Sequence, residues 1–202
     1  MKKLDLFTQS IYQFDNFLDD DTCNDIFKYI KQSNEPTSIH GALTGSEDIS
    51  THGHTDNIID SLEMGPKSCY TLSFKIQDVL NECAKDLQLN DDVVLTNSWY
   101  NIQQRGSTLN RHNHSNSIFS GAIFINTDES SSKLYFYNPN SIVNYFCGYN
   151  GTNSNNANNY SVLPQKGTLY VFPSYLDHGS HTDKNNTKDR VVLSFNSKLK
   201  NG

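Results

Sequence analysis

The sequence predicts a mainly β protein, a sandwich, barrel or jelly roll, with helices packed against it. Three observations lead there. From Val93 onward, short segments rich in β-branched and aromatic residues alternate with turn residues. Before residue 91, two stretches carry apolar side chains at helical spacing. The chain has 202 residues, enough for one domain with a substantial core and too few for two comfortable ones. We therefore expect one domain over 1–202, with 1–90 mostly helical support and loop and 91–202 forming the β core.

Taken in order, Leu6, Phe7, Ile11 and Tyr12 form a short apolar stretch, a first strand or an arm on the core. Leu18-Asp19-Asp20-Asp21-Thr22 supplies N-cap candidates, and Cys23, Ile26, Phe27 and Ile30 follow at helical spacing, predicting a helix over residues 20–32. From Ser33 to Lys67 the chain turns polar and is broken by Pro36, Gly41, Gly45, Gly53 and Pro66. A long irregular excursion of this kind commonly carries function, as a lid for example. It holds His40, His52 and His54; nothing apolar brackets the last two, so an exposed loop is expected, with a lid or second metal contact as the alternative.

Tyr70, Leu72, Phe74, Ile76, Val79, Leu80, Cys83 and Leu87 trace a second helical face ending near Leu89. Strands are predicted at 93–102, 118–126, 133–137, 161–163, 168–172 and 190–195. The Asn-rich stretch 148–160 reads as a surface loop and a second candidate lid.

Composition excludes several functions. The formal net charge of −6 gives no broad cationic surface, which argues against a nucleic-acid partner. Cys23, Cys69, Cys83 and Cys147 are scattered without any CxxC spacing, unlike a zinc knuckle or a redox pair. Asp5 interrupts the N-terminal stretch before any apolar run, and no later stretch suits a bilayer, so neither a secretory signal nor a membrane partner is expected. Reduced thiols in the cytoplasm are the expectation.

The chemistry concentrates in Gly106–Gly121, GSTLNRHNHSNSIFSG. In an extended strand His112 and His114, at i and i+2, project onto one surface, where two neutral imidazoles suit a metal. Alone, the pair fits solvated or hydrogen-bonded imidazoles equally well. His178 follows the TLYVF segment and supplies a third ligand from a distant strand. Three such ligands make one face of an octahedron and leave three positions open, an arrangement for catalysis rather than structure. Arg190 then heads an apolar strand in which Arg190, Val192 and Ser194 share one face. An arginine there sits at the rim or inside with an anion, and its fork binds carboxylates bidentately. A cavity holding Arg190 beside a metal can seat a small dicarboxylate.

The run NSWYNI, HxH before Ser120-Gly121, KLYFYNPN, GTLYVFPSYLDH and RVVLSFN resembles the 2-oxoglutarate- and Fe(II)-dependent oxygenases. More narrowly it is similar to oxygenases of marine bacteria and tailed phages related to prolyl 4-hydroxylases. The resemblance implies a double-stranded β-helix, Fe(II) and 2-oxoglutarate as cofactors, dioxygen as co-substrate and hydroxylation of a C–H bond. It implies iron ligation by His112 and His178, with His114 standing where most of the superfamily has aspartate. It further implies that Arg190 meets the distal carboxylate of 2-oxoglutarate and that Ser194 and Asn101 face the cofactor. Asp177 and Asp183 are alternative ligands ranked below His114. Trp99, Tyr135 and Tyr137 are candidate pocket walls that serve equally as strand packing. A phage origin would place the protein in the host cytoplasm.

Three competing readings stand beside it. A cupin-like metal enzyme would use the three histidines without 2-oxoglutarate, but that pattern wants a glutamate shortly after HxH, absent from 115–119, and gives Arg190 no duty. Nucleic-acid demethylases of the superfamily carry a second arginine six positions after the first, where this chain has Asn196. A non-enzymatic jelly-roll binding protein would leave the histidines incidental. The substrate of an oxygenase could be a protein side chain such as proline or a small metabolite.

Overall fold

The computed structural model describes residues 8–35, 37–38, 41–54, 57–140, 153 and 156–201. Leu6, Phe7, His40 and most of the 148–160 loop lie outside them. Helix α1 (Asp20–Gln32) starts where the aspartates predict: Asp19 accepts a hydrogen bond from the Thr22 amide at 2.8 Å, and Asp20 and Asp21 sit at the positive end of the helix dipole. The 33–67 excursion is less irregular than expected. It contains β2 (Ile49–Ser50) and α2 (Ile58–Glu63), whose Ile58, Ile59 and Leu62 are buried. Six residues are too few for periodicity to mark such a helix.

Helix α3 (Leu72–Asp86) buries Leu72, Ile76, Val79, Leu80 and Cys83. Tyr70 and Phe74, expected on that face, are instead exposed. Tyr70 precedes the helix, and Phe74, two residues after Leu72, is rotated about 200° from it.

The strands are β1 (Tyr12–Phe14), β3 (Val93–Gln103), β4 (Phe119–Asn126), β5 (Leu134–Tyr137), β6 (Asn159–Val162), β7 (Leu169–Pro173), β8 (His178–Gly179) and β9 (Arg190–Leu199). Asn159 and Tyr160 thus belong to a strand rather than to the Asn-rich loop. An antiparallel six-stranded sheet runs β1-β7-β4-β9-β3-β2, and a three-stranded sheet runs β6-β5-β8. The six-stranded sheet has two apolar faces. One packs Tyr100, Ile102, Ile123, Ile125, Val191, Leu193 and Phe195 against the helices. The other packs Ala122, Phe124, Tyr170, Phe172 and Val192 against Leu134, Phe136 and Val162 of the small sheet, with Phe136 and Phe172 edge to face at 5.0 Å. This is a jelly roll with helices on its outer face, and the period of two decides which residues each core receives.

Candidate metal and cofactor site

Of the two stretches that carry the histidines, the first is no regular strand and the second holds only the two-residue β8. Residues 109–114 and 174–180 run antiparallel across one end of the jelly roll, joined by a few backbone hydrogen bonds. The His112 amide donates to the His178 carbonyl at 3.0 Å and the His178 amide to the His112 carbonyl at 2.8 Å. The Ser180 amide donates to Leu109 O at 2.8 Å and the His114 amide to Ser174 O at 2.9 Å. The extended strand expected for HxH is therefore a single bridge, yet extension at that point suffices to turn both rings the same way. Pro173 ends β7 without an N–H to offer, and a turn closed by Leu176 N to Pro173 O at 2.9 Å swings His178 back toward His112.

The three rings converge. Their centroids lie 4.3 Å (His112–His178), 5.1 Å (His112–His114) and 5.1 Å (His114–His178) apart. One nitrogen of each falls within 4.8 Å of the others. His112 Nδ1 lies 2.8 Å from Asn110 O and His178 Nδ1 lies 3.0 Å from Leu176 O. A carbonyl only accepts, so both Nδ1 atoms carry the proton and both Nε2 atoms keep a lone pair, the tautomer a metal requires. Burial pushes the pKa of His178 well below 6.5, reinforced by the neighbouring His112, and burial likewise lowers that of His112. Neutral imidazoles are the metal-binding form.

The histidines open into a cavity between the sheets. Trp99, Asn101 and Gln103 of β3 line it at alternate positions, as do Ser120, Ala122 and Phe124 of β4 and Arg190, Val192 and Ser194 of β9. Leu134 and Phe172 contribute apolar wall, and among the described residues no Asp or Glu lines the space. Arg190 is buried, and its guanidinium bonds Gln103 Oε1 and lies 5.5 Å from the centre of the Phe124 ring. Among the described residues it forms no ion pair, and its Nε has no partner. Burial brings its pKa down to about 10, partly offset by Asp183. Asn101 Oδ1 is also buried without a partner.

The structure thus brings His112, His114, His178, Arg190, Ser194 and Asn101 to one cavity, with Trp99 on its wall. Tyr135 and Tyr137 are not there. Inward positions of β5 belong to Leu134 and Phe136, and the tyrosines face outward, where both rings pack near His181. Neither aspartate joins the histidines: Asp177 is taken up by Arg111 and Asn113, and Asp183 accepts from the Lys133 amide at 2.7 Å. The 51–54 turn is partly exposed, and His52 sets its ring edge-on to Trp99 at 4.7 Å.

Two contributors escaped the sequence analysis. Gln103 lies two residues beyond Asn101 on the same face, and extending the strand by one residue would have found it. Gly179 follows His178 where a Cβ would meet Leu109 O at 2.7 Å and Asn110 O at 2.9 Å. Only glycine lets the HxH stretch pass that close.

Known proteins share this architecture. A prolyl-4-hydroxylase from Pseudomonas putida superimposes with a TM-score of 0.61 at 15% identity, over 96% of this chain and 95% of that one. A Trichoplax adhaerens prolyl hydroxylase, in complex with a hypoxia inducible factor peptide, gives 0.65 at 14% identity, over 97% and 86%. HygX from Streptomyces hygroscopicus, with nickel and 2-oxoglutarate bound, gives 0.61 at 8% identity, over 96% and 84%. No curated protein matches the chain in sequence. A family model described as "Putative 2OG-Fe(II) oxygenase" matches residues 97–196, which include the three histidines and Arg190. By that match, on this fold, the chain belongs to the 2-oxoglutarate- and Fe(II)-dependent oxygenase family.

Proposed function

We propose that this protein hydroxylates a C–H bond of an organic substrate, a protein side chain such as proline or a small metabolite. In this reading His112, His114 and His178 hold Fe(II), while Arg190, Ser194 and Asn101 seat 2-oxoglutarate. The observation that carries it is the buried Arg190 guanidinium, which faces the same cavity as the three imidazoles and has no carboxylate partner among the described residues. A buried cation costs several kcal/mol in lost hydration unless an anion answers it, so the cavity is built for a carboxylate brought from outside. The unpartnered Nε of Arg190 and Oδ1 of Asn101 fit the same conclusion.

When bound, Fe(II) and 2-oxoglutarate supply the oxidising chemistry: dioxygen is consumed, 2-oxoglutarate becomes succinate and carbon dioxide, and a substrate C–H becomes C–OH. The chain supplies everything else. Asn110 and Leu176 carbonyls hold two imidazoles in the ligating tautomer. Gln103 orients the guanidinium toward the cavity without neutralising it. Phe124, Phe172 and Leu134 keep water from the reacting groups. We also place the protein in a reducing compartment, the cytoplasm, a reading supported by the free, buried thiols of Cys23, Cys69 and Cys83.

The test is aerobic incubation with Fe(II), 2-oxoglutarate and a library of proline-containing peptides, followed by mass spectrometry. Iron-dependent succinate that disappears in His178→Ala supports the enzyme, and a 16 Da gain on proline identifies a prolyl substrate. Succinate without peptide modification turns the search to metabolites. No succinate with any peptide or metabolite pool contradicts the proposal.

A further inference from the structure

The three histidines have a counterpart on the opposite side of the same two stretches. Along Arg111-His112-Asn113-His114, alternation turns the histidines to the cavity and Arg111 and Asn113 away from it. Asp177 stands in the same relation to His178. All three outward residues meet. Arg111 donates from Nε and Nη2 to Asp177 Oδ2, each at 2.7 Å, and Asn113 Nδ2 donates to Asp177 Oδ1 at 2.7 Å. Both carboxylate oxygens are therefore engaged from the HxH stretch. Asp177 is also anchored to β5, because its carbonyl accepts from the Tyr137 amide at 2.9 Å, and the Arg111 guanidinium lies 4.4 Å from the centre of the Tyr137 ring.

The clamp adds charged side-chain contacts to the backbone hydrogen bonds that join the two stretches and to the bond from the Leu109 amide to Ser180 Oγ at 2.6 Å. Around the histidines the ladder is one isolated bridge, not a continuous sheet. Most exposed ion pairs contribute almost nothing to stability. This pair is different in what it connects: a carboxylate holding one side chain on each flank of His112, itself one residue from His178. Any sliding or splaying of one stretch against the other breaks charge-assisted hydrogen bonds that direction as well as distance must satisfy.

We propose that Asp177 is a positioning residue that clamps the HxH stretch to the His178 stretch and so sets the three imidazoles at ligating distance before a metal arrives. The proposal rests on the ligand assignment above. Preorganisation of this kind shows as metal affinity, since a site already assembled gives up less conformational freedom on binding.

The probe is Co(II), titrated anaerobically into the metal-free protein and followed by its ligand-field absorption, with wild type, Asp177→Ala, Asp177→Asn, Arg111→Ala and the Arg111/Asp177 double alanine variant. We expect Asp177→Ala to weaken Co(II) binding about tenfold, the size of effect seen when groups supporting metal ligands are removed. Asp177→Asn, which keeps the shape and one acceptor, should fall between it and wild type. The double variant should bind no more weakly than Asp177→Ala, since both remove one clamp. Hydrogen exchange at the His112 and His178 amides, measured without metal, should accelerate in Asp177→Ala while protection in β4 and β9 is unchanged. A wild-type chain that takes up no Co(II) overturns the ligand assignment and the clamp together. Wild-type binding matched within twofold by Asp177→Ala, with unaltered exchange at the two amides, overturns the clamp alone.

Discussion

Gln103 and Arg190 face each other directly across the β3–β9 ladder, and the Gln103 side-chain Oε1 accepts a hydrogen bond from the Arg190 guanidinium. The pairing aims a buried cation without cancelling its charge. An amide in that position adds no negative charge beside the guanidinium, whose burial Asp183 offsets only in part. Gln103→Glu should therefore compete with the cofactor. A fixed carboxylate beside Arg190 should raise the thermal midpoint of the ligand-free protein and weaken 2-oxoglutarate binding about tenfold or more. Calorimetric titration of the metal-loaded variant checks the second effect, and unchanged affinity would remove the charge from the explanation.

Gly179 lies against the backbone of the other histidine-bearing stretch. In Gly179→Ala the new methyl would sit 2.7 Å from Leu109 O, 2.9 Å from Asn110 O and 3.1 Å from Arg111 N, all backbone atoms. Backbone cannot rotate aside as a side chain can, so the stretch must shift. We expect a loss of about 1–3 kcal/mol in urea unfolding together with weakened metal binding. Wild-type metal affinity in this variant would mean that the site tolerates the displacement.

Protonation should act on the metal-free protein in a defined direction. In the unfolded chain a histidine titrates near 6.5, whereas burial holds His178 well below that value and His112 below it. As pH falls through 6.5 the unfolded state gains protons that the folded state refuses, so stability is full above 6.5 and declines beneath it. The slope is at most about 1.4 kcal/mol per pH unit for one such group. Thermal melts from pH 8 to 5 should show the decline, and His178→Gln should flatten it.

His114 occupies the position at which most of the wider superfamily has aspartate. If it ligates, His114→Asp should keep the metal with an anionic ligand in place of a neutral one, whereas His114→Ala should lose at least about tenfold in affinity. Equal binding by wild type and His114→Ala would reduce the site to His112 and His178.

Much of this was legible in the sequence because alternation in strands is a strong, local signal. It placed Arg190, Val192 and Ser194 on one face, and they line one cavity. It also separated that face from Val191 and Leu193, which pack under the helices. Where period gives way to tertiary contact, the sequence was silent or misleading. Helix α2 is too short to show a repeat, and Phe74 is apolar yet exposed. Tyr135 and Tyr137 lie at the outward positions of β5, a phase that four residues alone do not reveal. The need for glycine at 179 arises from a chain segment some seventy residues earlier, and no local pattern encodes it.

The most direct measurement is an anaerobic titration in which Fe(II) and then 2-oxoglutarate are added while the visible metal-to-ligand charge-transfer absorption is recorded. Wild type should develop the band with one equivalent of each. His112→Ala and His178→Ala should show none, and Arg190→Ala should retain the metal but need about a hundredfold more 2-oxoglutarate, as expected when one partner of a buried charge pair is truncated. A wild-type protein that never develops the band, or an Arg190→Ala variant that saturates at the same 2-oxoglutarate concentration, would contradict a centre built from three imidazoles and a waiting guanidinium.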